Sequence, residues 1–142
     1  MRIVFLGSPP FATPVLEALV ASDHKLLAVV TPPDRATGRR RAREASAVVK
    51  LAEERGIELL RPETARAPEF QARLRAIEPD LTLVASYGEL LDQEFLDIAP
   101  CYNVHGSLLP RHRGASPVQA AILAGDERTG VTLQRVVLAL DA

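Results

Sequence analysis

The sequence predicts an α/β protein, a doubly wound and mostly parallel sheet with helices on both faces. Short β-branched and apolar runs recur at Ile3 to Leu6, Leu26 to Val30, Ile57 to Leu60 and Leu81 to Ala85. Between them lie segments of about ten residues whose apolar positions follow the helical period. Proline or glycine stands at nearly every junction. Strands covered on both faces read as continuous apolar runs, and a strand–helix–strand crossover turns right-handed, so the alternation implies a covered parallel sheet.

Local chemistry justifies each element in turn. Ile3 to Leu6 is broken by the turn Gly7-Ser8-Pro9-Pro10. In Phe11 to Ala21, residues Phe11, Val15, Leu16, Leu19 and Val20 share one helical face. Pro14 falls in that helix's first turn, where a missing N–H costs little. Leu26 to Val30 stops at Pro32-Pro33, residues 34–43 are expected as a loop, and Ser46 to Arg55 reads as a helix that Gly56 terminates. Ile57 to Leu60 is the third strand. Pro68 to Ile77 is helical, with Phe70, Leu74 and Ile77 on one stripe, and Pro79-Asp80 ends it. Leu81 to Ala85 is the fourth strand, Glu94 to Ile98 a short helix, and residues 101–105 a fifth strand. Ser116 to Ala124 is a helix with Pro117 at its start and Gly125 past its end. Gly130 to Val137 is the final strand, and Asp141-Ala142 follows so closely that the chain reads as the front part of something longer.

The totals exclude several classes. The 142 residues suffice for one domain with a core of its own. Lys and Arg number 17 against 18 Asp and Glu, so no global field draws the chain to nucleic acid and any such attraction must be local. Cys101 is the only cysteine, which rules out a disulfide framework and a Cys-only zinc site. His24, His105 and His112 are too scattered to suggest a metal cluster, so no metal is expected. No apolar run approaches the roughly 20 residues of a membrane span, and a soluble cytoplasmic protein is the default expectation.

The most informative stretch is Asn103-Val104-His105-Gly106-Ser107-Leu108-Leu109-Pro110, continuing to Arg113-Gly114. Strand alternation puts Asn103 and His105 on one face, at the carboxyl edge where open α/β sheets bind ligands. A buried structural Asn–His pair is the alternative, and spacing alone does not choose between them. A dinucleotide site needs a glycine-rich first turn, whereas Gly7-Ser8-Pro9-Pro10-Phe11-Ala12 has one glycine and two prolines that offer no N–H. Nucleophilic catalysis lacks a Gly-x-Ser-x-Gly elbow, and Cys101 lies inside a strand as a small apolar residue. Ser107 is expected to hydrogen-bond the loop backbone. His112 reads as an exposed loop residue with no partner suggested by spacing.

What remains is direct transfer of an acyl-type group. It needs a donor for the oxyanion, worth about 3–4 kcal/mol per hydrogen bond, a base of near-neutral pKa, and a carboxylate that orients the base. Asn103, His105 and Asp141 offer one of each. Separately, Arg35, Arg39, Arg40, Arg41 and Arg43 put five guanidiniums within nine residues with no carboxylate between them. Such a run either attracts phosphates in a salt-dependent way or is simply a solvated loop.

Asn103-x-His105-x-Ser107-Leu108-Leu109-Pro110, Arg113-Gly114-x-x-Pro117, and Thr129-Gly130-Val131-Thr132 through Leu140-Asp141 resemble the folate-dependent formyltransferases. The resemblance covers essentially the whole chain. Gly7-Ser8-Pro9-Pro10-Phe11-Ala12, Thr31-x-Pro33-Asp34-Arg35 with Gly38-Arg39, and Ala85-Ser86-Tyr87-Gly88 are most similar to the branch that acts on methionyl-tRNA. It implies a Rossmann-like formyltransferase fold, with residues 1–142 as an incomplete catalytic domain and a C-terminal tRNA-binding domain absent. Asn103, His105 and Asp141 would be catalytic. The co-substrate would be 10-formyltetrahydrofolate, held by Ser86, Tyr87, Gly88, Leu90, Ser107, Leu108, Leu109 and Pro110. Residues 34–43, with Arg35, Arg39, Arg40, Arg41 and Arg43, would contact the tRNA acceptor stem, and the protein would act as a monomer away from membranes. A sugar-nucleotide N-formyltransferase and a truncated folate-binding remnant without activity are the alternatives. The chain departs from the family's pattern at Leu91-Asp92, at Glu44-Ala45-Ser46-Ala47 and at Val137-Leu138.

Overall fold

The structure, a computed structural model, describes residues 1–33 and 39–138, and the side chains of these except residues 39–46. Among the described residues six strands form one sheet: β1 (Arg2–Gly7), β2 (Lys25–Val30), β3 (Glu58–Leu60), β4 (Leu81–Ala85), β5 (Cys101–His105) and β6 (Thr132–Arg135). The helices described between them are α1 (Ala12–Ala21), α2 (Arg39–Glu54), α3 (Pro68–Ile77), α4 (Gln93–Leu96) and α5 (Pro117–Leu123). The strand order is β3-β2-β1-β4-β5-β6. β1 to β5 run parallel, and β6 joins β5 antiparallel.

The order reverses between β1 and β4, and a ligand crevice forms outside the carboxyl ends of strands at such a switch point. Gly7 closes β1 there. A Cβ on it would lie 2.6 Å from Ala12 Cβ and 2.7 Å from the Ala85 carbonyl oxygen, so only glycine lets β1, β4 and the start of α1 meet this closely. The Ser8 N–H donates to the Ser86 carbonyl at 2.8 Å and ties the two loops across the crevice.

Two apolar layers flank the sheet. Phe5, Val29 and Ala85 pack with Leu16 of α1 and with Val48 and Ala52 of α2. On the opposite face, Val4, Leu6, Ala28, Val30 and Cys101 pack with Phe70 and Leu74 of α3 and Phe95 of α4. Helices thus cover both faces, as the apolar strand runs require. Asp92 caps α4, its carboxylate accepting the Phe95 N–H at 2.9 Å and the Gln71 amide at 3.1 Å.

Two expectations need correction. Residues 39–43 are not loop: α2 begins at Arg39, seven residues ahead of the Ser46 start, and ends at Glu54. Arg and Ala are strong helix formers, so Arg39-Arg40-Arg41-Ala42-Arg43 continues the helical pattern despite its charge. The last strand is shorter than Gly130 to Val137, spanning only Thr132–Arg135 as an antiparallel edge. Residues 34–38 and 139–142 lie outside the described residues, and with them Arg35 and Asp141.

Candidate active site

β5 carries the candidate residues Asn103 and His105. Cys101 belongs to the α3–α4 layer and Val104 packs on the α1–α2 layer. Alternation therefore places Asn103 and His105 on the face of Cys101, beside Val84 of β4, the register partner of Asn103. Asn103 is half-buried, and among the described residues its carboxamide makes no side-chain hydrogen bond. An amide on a strand's carboxyl end with uncommitted N–H groups can donate to a developing oxyanion.

His105 is buried, at 5% exposure. Its Nε2 lies 2.9 Å from the His112 carbonyl oxygen. A carbonyl only accepts, so Nε2 carries a proton and, in the neutral ring, the lone pair is on Nδ1. Gly106 then turns the chain where a Cβ would press on Val118, Pro117 and Phe11 at 3.3–3.5 Å. Ser107 is fully buried, its hydroxyl donating to the Arg111 carbonyl at 2.6 Å. Thr132 of β6 completes the staple: its hydroxyl donates to the Ser107 carbonyl at 2.7 Å and accepts the Leu109 N–H at 3.1 Å.

The reading of His112 as an exposed residue without a partner is overturned. Its ring is largely buried, and Nε2 meets an Asp126 carboxylate oxygen at 2.6 Å. The other oxygen of Asp126 takes Arg111 at 2.7 Å. The His112 hydrogen bond holds the Asp126 carboxyl below the usual carboxylate range, and the Arg111 charge adds to this. No sequence signal marks this pair, since His112 lies in a loop and Asp126 just beyond α5. Thr132 stands in the Thr129-Gly130-Val131-Thr132 segment, so its place was visible in the sequence though its role was not.

The segment after β4 leaves the carboxyl end of the strand next to β5. Ser86 has φ 54° and Gly88 φ 80°, so the backbone turns back sharply on itself. Tyr87 points into the core, and burial, with the Glu89 charge second, pushes its phenol up to about 12. Glu89 anchors the loop by accepting from the Thr64 hydroxyl and from the Ala65 N–H at 3.0 Å. Leu90 stands 66% exposed and Leu108 49% exposed. Ser86, Gly88 and Pro110 are exposed and Leu109 is half-buried, so Tyr87 and Ser107 are the members of the expected folate set that face inward. A cleft of about 480 Å³ opens elsewhere, at the carboxyl end of β3 among Leu60, Arg61, Pro62 and Phe70. β2, β1 and β4 separate it from β5. Among the described residues no group of His, Cys, Asp and Glu is arranged to hold a metal ion, and no helix is long and apolar enough to cross a membrane.

The family model described as formyl transferase matches residues 1–142. This chain belongs to the formyl transferase family. The methionyl-tRNA formyltransferase of Methylococcus capsulatus is 51% identical to this chain over 144 residues, covering all of this chain and 47% of that protein. That of Nocardioides sp. is 53% identical over 145 residues, covering 46% of that protein. The chain thus spans about half the length of the curated relatives it matches. The crystal structure of phosphoribosylglycinamide formyltransferase from Bacillus halodurans superposes with a TM-score of 0.78 at 21% identity, over the whole chain and 75% of that one. At that identity the likeness establishes a shared fold.

Proposed function

We propose that this chain is the front part of the catalytic domain of an enzyme that moves a formyl group from 10-formyltetrahydrofolate to the α-amine of methionyl-tRNA. Relatives about 50% identical along the whole chain carry that name. The observation that carries the chemistry is the uncommitted Asn103 amide beside His105 on one face of β5, at the carboxyl edge of the sheet.

The α-amine forms a bond to the formyl carbon, and the carbonyl electron pair moves to oxygen. Asn103 donates a hydrogen bond to that oxyanion, with His105 alongside. Collapse breaks the bond to the folate nitrogen, which receives a proton as the amine loses one. His105 can accept and return that proton at Nδ1, and Asp141 orients and charges the ring. Loss of any one of these groups leaves the others in place, so each should cost rate rather than fold.

The crevice suits a flat, partly apolar co-substrate. Leu90 and Leu108 offer exposed apolar surface, and the turned backbone of Ser86 and Gly88 offers polar groups to its edge. Leu109 and Pro110 would extend that wall. Tyr87 and Ser107 support it from beneath, one packed in the core and the other fixing the loop. Arg35, Arg39, Arg40, Arg41 and Arg43 would meet the phosphates of the acceptor stem. The protein would work as a cytoplasmic monomer, where charged tRNA is found.

The test is acceptor choice. The full-length protein, given 10-formyltetrahydrofolate, should formylate methionyl-tRNA and leave an amino-sugar nucleotide untouched, with activity falling steeply as salt rises. Formylation of the sugar nucleotide alone would overturn the choice of acceptor. Folate binding without transfer to either would overturn the proposal of an active enzyme.

A further inference from the structure

We infer that Asp126 and His112 form a positioning pair that sets the ring state of His105. The inference rests on the proposed role of His105 and adds two residues that lie outside the site named from sequence.

The geometry runs outward from His105. Its Nε2–H donates to the His112 carbonyl at 2.9 Å. That carbonyl faces His105 with His112 at φ 54°, a left-handed conformation uncommon in residues with a side chain, although histidine adopts it more readily than most. On the other side of the same residue the His112 ring is held by Asp126 at 2.6 Å, which fixes the residue in this conformation. Asp126 is in turn fixed at the end of α5. Its N–H donates to the Ala121 carbonyl at 3.1 Å, just after Gly125 makes a left-handed turn at φ 69°. Arg111 occupies the second carboxylate oxygen at 2.7 Å, so both ends of the segment entering His112 are tied to one group. The Ser107 hydroxyl holds the Arg111 carbonyl from the opposite side.

One residue therefore faces two ways. Its side chain is anchored on a helix end, and its carbonyl selects the Nε2–H form of His105. In that form the ring takes a proton at Nδ1, as transfer of the amine proton requires. Without the anchor, the carbonyl keeps only the long 3.5 Å contact from the Ser107 hydroxyl, and a shift of it lets His105 redistribute its proton between the two nitrogens. A misplacement of about 1 Å in a reacting group can lower turnover a hundredfold.

The experiment combines ring ¹⁵N NMR of histidine-labelled protein with kinetics on the full-length enzyme. Wild type should show neutral His105 as a single Nε2–H tautomer. Asp126→Ala should give mixed tautomers and a kcat about ten- to a hundredfold lower, with KM moved far less. Asp126→Asn, which still offers an oxygen to His112, should restore most of both. A merely structural role would lower the melting point and leave the His105 ring signals alone. If Asp126→Ala does not fold, His112→Asn serves, since asparagine suits the left-handed backbone and lacks the imidazole anchor. Wild-type ring signals and kcat in Asp126→Ala, or in His112→Asn where that variant takes its place, would overturn the inference. A wild-type Nε2–H signature in a protein that transfers no formyl group would defeat the proposed function and leave the positioning pair standing.

Discussion

Replacing Gly7 with alanine tests the crevice where it is tightest. The added carbon would lie 2.6 Å from Ala12 Cβ, 2.7 Å from the Ala85 carbonyl oxygen and 2.9 Å from Phe5 Cζ. Ordinary carbon contacts fall at about 3.5–4.0 Å. Neither a β-carbon in the first turn of α1 nor a main-chain oxygen of β4 can swing aside, so the strands themselves must part. Gly7 is a strand residue with no left-handed backbone, and alanine would otherwise gain about 0.4–1 kcal/mol through the unfolded state. Overpacking of this kind costs about 1–3 kcal/mol and occasionally more. The net expectation is a loss of about 1–2 kcal/mol, or roughly 3–10 °C in melting temperature for a domain of this size. Urea unfolding measures it directly. Gly56→Ala is the comparison: that glycine has φ +64° and open space around it, so its cost is backbone strain alone. A Gly7→Ala protein as stable as wild type, or more so, would show that β1, β4 and α1 do not close on this residue.

Three further outcomes are expected. The Asp126 carboxyl, followed by ¹³C NMR, should titrate below the unfolded value of about 3.9, and His112→Asn should raise it. Because its folded pKa is depressed, its stabilising contribution is present above the unfolded value and is lost as pH falls through the folded one; a normal titration would contradict the contact with His112. Burial pushes the Cys101 thiol up, so alkylation at neutral pH should be negligible in the native protein and rapid after unfolding; fast native labelling would show that β5 is not in the sheet interior. Glu89→Ala should leave the Ala65 N–H without its acceptor and cost about 1–3 kcal/mol, read as faster hydrogen exchange there, and unchanged exchange would remove Glu89 as the anchor of the Ser86–Leu90 wall.

The sheet was legible because its parallel strands are short apolar runs closed by Gly and Pro, and α3 matched its expected limits because Pro68 and Pro79 bracket one apolar stripe. Strand alternation sufficed to put Asn103 and His105 on one face. Other features were not legible, for physical reasons. Arg39 to Arg43 looks like a solvated loop by charge, while its helix propensity is high and α2 follows propensity. Nothing in Thr132–Arg135 encodes direction, so its antiparallel pairing depends on how the chain returns after α5. The His112–Asp126 pair joins residues from a loop and a helix end with no periodic relation. Ser107 was expected to fix its turn through the backbone, and it does so on the Arg111 carbonyl.

Turnover by two single variants of the full-length protein, each first shown to fold by circular dichroism, tests the transfer chemistry most directly. Asn103→Ala and His105→Ala should each slow formylation of methionyl-tRNA by about two or more powers of ten, with folate affinity largely kept. Full activity in either variant would mean that the paired amide and imidazole of β5 do not perform the transfer.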